Sequence, residues 1–252
     1  MRTVTESFNH HVGDEANRQR VAFLKTSLVD YPGKLAAVIF FPHCNLRCPW
    51  CHNRDLVINT QTNTIPLAEA LDHIAKRRSV LGGVVLSGGE PTLVKNLPQI
   101  IQHIKALGLA VKLDTNGTNP QILKTLIQTP DICPDYIACD LKIGLARYSE
   151  LFPAPSPTSA ISENIQESIA IIQASTILHE FRSLILPDAY FSEADIAALA
   201  PLIKESPWYF RRFIPGSCLD PAWNNKASPT ETDLKKYSAY AQTLRKTVIV
   251  PT

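Results

Sequence analysis

The sequence predicts an α/β fold in which six strand–helix units form an open, partial (βα)6 barrel. Short apolar segments rich in β-branched residues alternate with longer amphipathic segments, as in parallel sheets covered by helices. Glycine-containing and polar motifs follow the ends of several predicted strands, where α/β barrels carry their chemistry. A chain of 252 residues fits one large domain of this kind.

Six strands are predicted from short apolar runs bounded by glycine, proline or polar residues. In chain order they are Ala36–Phe41, Gly83–Ser87, Ala110–Asp114, Tyr136–Asp140, His179–Leu186 and Tyr209–Ile214. A further apolar segment, Val248–Val250, follows the last predicted helix. Six parallel strands are fewer than the eight that close a full barrel, so we expect the barrel to stay open.

Helices are predicted where apolar residues recur with helical spacing between these strands. They cover Pro66–Ser79, Leu97–Leu107, Pro120–Gln128, Ser162–Ala174, Glu193–Lys204 and Thr230–Lys246. Pro66 and Pro120 suit first turns of helices. Residues 1–20 lack this periodicity and are interpreted as a flexible arm, so the predicted barrel domain covers residues 21–252. The proline-rich run Phe152–Pro157 is expected to be a loop.

Composition excludes several classes of function. Hydrophobic residues make up 45% of the chain and charged residues 19%, with a net charge of +2. This balance argues against strong electrostatic binding to nucleic acid or to an anionic membrane. No apolar run reaches the length of a membrane span, and the polar first twenty residues do not resemble a signal peptide. We therefore expect a cytoplasmic protein that binds neither membrane nor nucleic acid.

Three cysteines within eight residues are the strongest chemical signal. Cys44, Cys48 and Cys51 have three and then two residues between them. Three thiolates can hold a cubic 4Fe–4S cluster and leave one iron without a protein ligand, available to a small molecule. The other cysteines, Cys133, Cys139 and Cys218, are scattered and are expected to be small core residues. Six cysteines would also allow three disulfides, but an intracellular chain of this length disfavours them.

A structural zinc site is the alternative for this cysteine run. Structural zinc prefers four ligands, and only His43 or His52 lies close enough in sequence to supply a fourth. Bacterial ferredoxins use a different spacing with a fourth cysteine. The vacant iron of a three-cysteine cluster therefore explains the pattern better.

A glycine-containing turn follows the second predicted strand. The run Ser87-Gly88-Gly89-Glu90-Pro91 exposes backbone N–H and C=O groups that can approach a ligand's ammonium group closely. Glu90 can stabilise the loop or add charge. Taken alone, the run is more simply a tight strand-to-helix turn, and its combination with the cysteines favours the binding role.

Together, the cysteine run and Gly88-Gly89-Glu90 resemble the radical S-adenosylmethionine (SAM) superfamily. Thr26–Lys34 and Cys51–Asp55 resemble its glycyl-radical enzyme activases. The resemblance is closest to the activating proteins of anaerobic ribonucleoside-triphosphate reductase. It implies that a reduced cluster cleaves SAM to a 5′-deoxyadenosyl radical, which abstracts hydrogen from a glycine of the partner reductase. It also implies an electron donor such as flavodoxin or ferredoxin.

The resemblance also implies roles for individual residues. Cys44, Cys48 and Cys51 would ligate the cluster. The expected SAM-binding residues are Trp50, His52, Asn53, Gly88, Gly89, Glu90, Asp114, Asn116, Asp140, Lys142 and Arg182. A monovalent cation near Asp114 and Asp140 is a further implication. For Asp114, Asp140, Lys142 and Arg182, an ordinary rim ion pair is as good an interpretation of each residue taken alone.

Two other functions stay open on sequence grounds. A radical SAM enzyme could act on a small molecule, as 7-carboxy-7-deazaguanine synthase does, or on another peptide. A non-catalytic iron–sulfur or zinc protein would use the cysteines alone. The latter leaves Gly88-Gly89-Glu90 and the pair Asp140 and Lys142 unexplained.

Overall fold

The computed structural model describes residues 13–58, 63–153, 158–244 and 248–249. The chain divides into two compact units. The first unit contains the described residues up to Cys44, together with Asp55–Asp114 and Lys124–Ile137. The second unit contains Asn45–Arg54, Thr115–Leu123 and the described residues from Ala138 onward. The prediction of one domain over residues 21–252 remains a prediction.

The first unit is a mixed sheet with helices. Its strands are β1 (Arg20–Ser27), β2 (Ala36–Phe41), β3 (Ile65–Pro66), β4 (Gly83–Gly88) and β5 (Ala110–Thr115, whose last residue belongs to the second unit). Strands β2, β4 and β5 are parallel neighbours, and β1 pairs antiparallel with both β2 and β3. Its helices are α1 (Gly13–Arg18), α2 (Arg54–Val57, whose first residue belongs to the second unit), α3 (Leu67–Lys76) and α4 (Leu97–Ala106).

Helix α5 (Pro120–Gln128) and strand β6 (Tyr136–Asp140) contribute residues to both units. The second unit continues with α6 (Thr158–Ala174), β7 (Leu178–Ile185), α7 (Glu193–Ile203), β8 (Trp208–Arg212), α8 (Glu231–Leu244) and β9 (Val248–Ile249). Strand β8 pairs in parallel with β7 and β9. Large buried aromatic side chains fill its core, among them Phe181, Phe191, Trp208 and Phe210.

The predicted α/β class with parallel strands is confirmed, and β2 and β6 have the predicted bounds. The other four predicted strands agree within two residues at each end. Helix α5 has its predicted bounds, whereas α6 begins four residues before the predicted start, at Thr158. Pro66 lies at the N-cap of α3 rather than inside it.

Strand β1 and helix α1 are two elements that the sequence did not predict. Strand β1 was not predicted, because it mixes charged and exposed residues with apolar ones and so lacks a clean alternation. Residues 13–18 of the predicted arm form α1, and the Gln19 carbonyl accepts a hydrogen bond from the Leu67 N–H at 2.8 Å. This part of the arm is therefore folded. Residues 1–12, most of the proline-rich loop (154–157) and Val250 lie outside the described residues.

The cysteines outside the run behave largely as predicted. Cys139 and Cys218 are buried and Cys133 is half-buried, and all six cysteines are free thiols. None of the helices in the described part of the chain combines the length and the apolar character that crossing a bilayer requires.

Candidate cofactor site

The cysteine loop, residues 44–51, follows strand β2. Cys48 is 7% exposed, and Cys44 and Cys51 are half-buried. The Cys51 N–H donates to the Cys48 carbonyl at 3.0 Å, which closes a turn between these two thiols. Within the described ranges, no three His, Cys, Asp or Glu side chains are grouped to hold a metal ion. Each thiolate of a cubane binds a different iron, so the three sulfurs need not converge on a single point.

The donor set fits such a cluster chemically, because metal ligation requires thiolates. Burial raises the pKa of the Cys51 thiol, whereas the Asn53 N–H and the Lys142 and Arg47 cations oppose that shift. The same Lys142 ammonium interacts electrostatically with Cys48. The second unit therefore supplies positive charge where two of the thiols must ionise.

The clamp segment, residues 218–223, fixes the backbone of the cysteine loop. The Leu219 N–H donates to the Cys51 carbonyl at 2.9 Å, and the Asp220 N–H donates to the Pro49 carbonyl at 3.0 Å. The Asp220 carboxylate caps the following short 3₁₀ turn through the Ala222 N–H at 2.9 Å. Sequence reasoning missed this segment, because no local pattern links it to cysteines about 170 residues away.

Aromatic side chains of the second unit pack around the same loop. The Trp50 ring lies 5.4 Å from both the Tyr190 and Trp223 rings, measured between ring centroids. Tyr190 and Trp223 contact each other at 5.3 Å. Trp50 is 3% exposed and Trp223 is 6% exposed. Trp50 thus presents little surface to a ligand, and its place beside adenine remains a prediction.

His52 and Asn53 follow the third cysteine. His52 is exposed, and its ring lies 5.7 Å from that of Phe213. The Asn53 N–H interacts with the Cys51 thiol. Roles for both residues beside SAM remain predictions.

The glycine loop, residues 88–90, packs backbone against backbone in the first unit. Gly88 has φ +119°, and a Cβ there would overlap the Phe41 backbone. A Cβ on Gly89 would overlap the His43 carbonyl. The Gly89 N–H donates to the Phe41 carbonyl and the Glu90 N–H donates to the His43 carbonyl, both at 2.8 Å. Both positions therefore require glycine, and the loop forms a close backbone cradle.

Glu90 supports this loop through a local cap. Its side chain is 1% exposed, and its Oε1 accepts hydrogen bonds from the Thr92 N–H at 3.1 Å and the Thr92 hydroxyl at 2.6 Å. These bonds cap the short 3₁₀ turn Pro91–Leu93. The geometry agrees with the loop-stabilising role among those considered for Glu90.

Asn116 bonds to the cysteine loop. Its Nδ2 donates to Asn45 Oδ1 at 2.9 Å, and its Oδ1 accepts from the Thr118 N–H at 3.0 Å and the Thr118 hydroxyl at 2.7 Å. Asn45 Nδ2 in turn donates to the Thr118 hydroxyl at 2.8 Å. The amide predicted to contact SAM is therefore also a buried tie between the cysteine loop and the residues after β5.

Asp140, Lys142 and Arg182 form a charged triad in the second unit. Lys142 Nζ lies 2.8 Å from Asp140 Oδ2, and Arg182 Nε lies 2.7 Å from Asp140 Oδ1. Burial alone would raise the pKa of Asp140, but Arg182 and Lys142 hold it well below its usual range. The triad carries one net positive charge, which suits a ligand carboxylate. Glu180 Oε1 lies 3.8 Å from Arg182, and counting this carboxylate brings the sum over the four side chains to zero, so the positive charge is local to Lys142 and Arg182.

Asp114 lies at the end of β5 in the first unit. Its carboxylate pairs with Lys112 and accepts a hydrogen bond from the Ser87 hydroxyl at 3.3 Å. Lys112 is 2% exposed and was not among the predicted site residues. Its spacing of two residues from Asp114 puts both side chains on the same face of the strand, and this spacing is the sequence signal that could have identified it.

Comparison with known proteins gives independent evidence for the family of this chain. The radical SAM superfamily matches residues 38–179. The chain is 30% identical over 228 residues to a Methanocaldococcus jannaschii protein provisionally named as a glycyl-radical enzyme activating enzyme, covering 90% of this chain and 92% of that protein. A shorter match, 33% identical over 91 residues, is to 7-carboxy-7-deazaguanine synthase of Hyperthermus butylicus, covering 36% of this chain and 38% of the synthase.

Among solved structures, Streptococcus suis SuiB bound to S-adenosylmethionine shares the fold. Its TM-score is 0.55 at 13% identity, covering 85% of this chain and 52% of SuiB. The superfamily match spans more than half of the chain, and the M. jannaschii relative spans nearly all of it. This chain therefore belongs to the radical SAM superfamily, whose enzymes are of oxidoreductase type and use a 4Fe–4S cluster and S-adenosylmethionine.

Proposed function

We propose that this enzyme activates a glycyl-radical enzyme by abstracting hydrogen from a glycine in that partner protein. The observation that carries the proposal is coverage: the relative named as a glycyl-radical enzyme activating enzyme matches 90% of the chain. The match to 7-carboxy-7-deazaguanine synthase covers 36%. A similarity that extends over the whole chain includes the parts that contact a substrate, whereas a partial one can reflect the shared cofactor chemistry alone.

In this proposal Cys44, Cys48 and Cys51 hold the cluster. When bound and reduced, the cluster supplies the electron that cleaves SAM to methionine and a 5′-deoxyadenosyl radical. The backbone carbonyls of Gly88 and Gly89 would accept from the SAM ammonium group, while the close packing of both glycines on the Phe41 and His43 backbone holds the loop in place. Lys142 and Arg182 orient the SAM carboxylate through their own cationic groups.

The aromatic and amide contacts of the cysteine loop hold the cysteine ligands in fixed positions. Trp50, Trp223 and Tyr190 pack on one another. These contacts fix loop geometry without using any group that must change protonation. The protein's contribution is therefore positioning and exclusion of water.

For the partner, we propose an anaerobic ribonucleoside-triphosphate reductase, on the resemblance of Thr26–Lys34 and Cys51–Asp55 to its activating proteins. A flavodoxin or a ferredoxin would supply the electron. The site of action would be the cytoplasm.

The test is anaerobic reconstitution followed by reduction in the presence of SAM. We expect about four irons per chain, and release of 5′-deoxyadenosine measured by chromatography. Addition of the reductase from the same organism should then give a glycine-centred doublet by electron paramagnetic resonance. The matched control is the same reductase with its radical-bearing glycine replaced by alanine, which should give no doublet.

The outcomes separate the candidate functions. Failure of the reconstituted enzyme to cleave SAM would exclude radical SAM chemistry altogether. Cleavage of SAM with no doublet on any glycyl-radical enzyme of that cell would favour a small molecule or another peptide as substrate. Trapping deuterium from a labelled partner glycine in 5′-deoxyadenosine would show the hydrogen transfer directly.

A further inference from the structure

Lys112 is a buried lysine that the proposed function does not use. It lies in β5 opposite Val85 of β4 in the parallel register, and 2% of its surface is exposed. Val85 belongs to an apolar cluster of the same unit with Tyr31, Ala36 and Val38, against which Ala110 and Tyr136 pack. An ammonium group placed among apolar side chains is costly unless an opposite charge accompanies it.

That opposite charge is Asp114. The Lys112 ammonium forms an ion pair with Asp114 Oδ1, and the side chains of the pair are 3% and 16% exposed. The Tyr136 ring lies 5.9 Å from Lys112 Nζ, within range of a cation–π contact. The Ser87 hydroxyl donates to the second carboxylate oxygen. Ser87 lies in β4 and directly precedes the glycine loop. This ion pair of β5 therefore lies beside the end of β4, the strand that carries the loop.

The family resemblance implies a monovalent cation near Asp114 and Asp140. The residues present do not fit that ion, because each carboxylate already contacts a cationic side chain of its own unit. Lys112 pairs with Asp114, and Lys142 and Arg182 pair with Asp140. An alkali cation and an ammonium group carry the same charge and compete for the same carboxylate oxygen atoms.

We propose that Lys112 is the permanent internal counter-ion of Asp114, so that the cofactor site of this enzyme needs no monovalent cation. Lys112 is then a positioning residue: it keeps the Asp114 carboxylate neutralised and fixed beside Ser87 whether or not salt is present. The proposal does not depend on the glycyl-radical partner, since its readouts involve the protein, its cluster and SAM only.

The first test uses the unaltered enzyme. Its melting temperature without the cluster, and the SAM affinity of the reconstituted enzyme, are measured in potassium, sodium and tetramethylammonium chloride at equal ionic strength. Tetramethylammonium is too bulky to occupy an alkali-ion site. We expect the same melting temperature and the same Kd in all three salts. A tenfold or greater tightening of SAM binding by potassium or sodium alone would overturn the proposal.

The second test removes the lysine charge with Lys112→Met. This variant leaves a buried carboxylate without its ammonium partner, so in tetramethylammonium its melting temperature should fall by roughly 6–20 °C. Potassium or sodium should restore part of the loss, because the alkali ion can now neutralise Asp114. An equal melting temperature in all three salts would contradict the proposal.

Two further variants keep the test decisive if Lys112→Met fails to fold. The double variant Lys112→Met with Asp114→Asn removes both charges, and it should be more stable than Lys112→Met and indifferent to the salt. Lys76→Met is the matched control, because it removes the lysine from an ion pair with Asp72 in which both side chains are more than half exposed. The control should show no specific response to alkali ions. A cation-dependent double variant would place the ion elsewhere and overturn the proposal.

Discussion

The glycine loop in the first unit and the second-unit part of the cysteine loop are held in place by different combinations of contacts. The glycine loop is fixed by backbone hydrogen bonds and by contacts so close that a Cβ cannot be accommodated. The second-unit part of the cysteine loop has backbone hydrogen bonds from the clamp segment and, in addition, side-chain supports: the aromatic rings around Trp50 and the amides of Asn45 and Asn116. A ligand that needs backbone contacts favours the first design, and a metal cluster that needs placed side chains favours the second.

This difference predicts which kind of substitution weakens each loop. Backbone packing leaves the glycine loop intolerant of any added atom, whereas the side-chain ties of the cysteine loop can each be removed singly. The two loops therefore predict different responses to mutation: loss of volume should weaken the cysteine loop, and gain of volume should weaken the glycine loop.

The largest effect is expected for Trp223→Ala. Removing a ring that is 6% exposed and packed on Trp50 and Tyr190 should lower the free energy of unfolding by about 4 kcal/mol. The clamp segment should loosen with it, so that the reconstituted enzyme loses iron faster on exposure to a chelator. Chelator-induced loss of absorbance and urea unfolding measure the two effects.

Trp223→Phe is the matched variant, because it keeps an aromatic ring in the cluster. It should retain most of the iron and most of the stability. If Trp223→Ala released iron no faster than the unaltered enzyme, the aromatic contacts would have no part in holding the cysteine loop.

Gly89→Ala tests the glycine loop and should cost about 3 kcal/mol. The new methyl group would overlap the His43 carbonyl, so the backbone that presents the loop must move, and SAM binding should weaken with it. Isothermal titration of SAM into the reconstituted enzyme and urea unfolding give both values.

Gly216→Ala is the control for this substitution, because no atom lies within 4 Å of the position that its Cβ would take. It should leave stability and SAM affinity almost unchanged. Equal behaviour of the two variants would show that the close backbone packing of the glycine loop is unimportant.

The same contrast explains what the sequence could predict. Gly88-Gly89-Glu90 and the cysteine run are local patterns, so both motifs could be recognised from the residues alone. Buried strands such as β2 could be recognised from their continuous apolar residues. Strand β1 could not be recognised, because three consecutive residues of it are exposed. The clamp segment and the Asn45–Asn116 tie depend on contacts between distant parts of the chain, for which a single sequence carries no periodic signal.

Asp140→Asn tests the charged triad, with an expected loss of about 2 kcal/mol at neutral pH. Arg182 and Lys142 lower the pKa of Asp140 despite its burial, so its charged form stabilises the folded state. That contribution is complete above the unfolded pKa of about 4 and is lost as the pH falls below it towards the folded pKa. Urea unfolding between neutral and acidic pH measures it.

The stability difference between Asp140→Asn and the unaltered protein should therefore shrink below about pH 4. Asp72→Asn, in an ion pair whose carboxylate side chain is 59% exposed, should cost almost nothing at any pH. A difference for Asp140→Asn that stayed constant into acid would mean that hydrogen-bond geometry rather than charge dominates the triad.

The smallest effect is expected for Asn45→Ala, which removes one amide tie of the cysteine loop without adding a charge. The substitution removes the Oδ1 that accepts from Asn116 and the Nδ2 that donates to the Thr118 hydroxyl, while Asn116 keeps its bonds from the Thr118 N–H and hydroxyl. We expect a loss of about 1 kcal/mol in the free energy of unfolding, with nearly normal iron content.

Asn116→Ala is the reciprocal variant at the other end of the tie. It removes the Nδ2 donor to Asn45 together with the Oδ1 that accepts from the Thr118 N–H and hydroxyl. The two single variants together with the double variant form a mutant cycle that measures the coupling between the two amides. A coupling energy near zero would show that this tie does not hold the cysteine loop, and would leave the aromatic rings and the clamp segment as its side-chain and backbone supports.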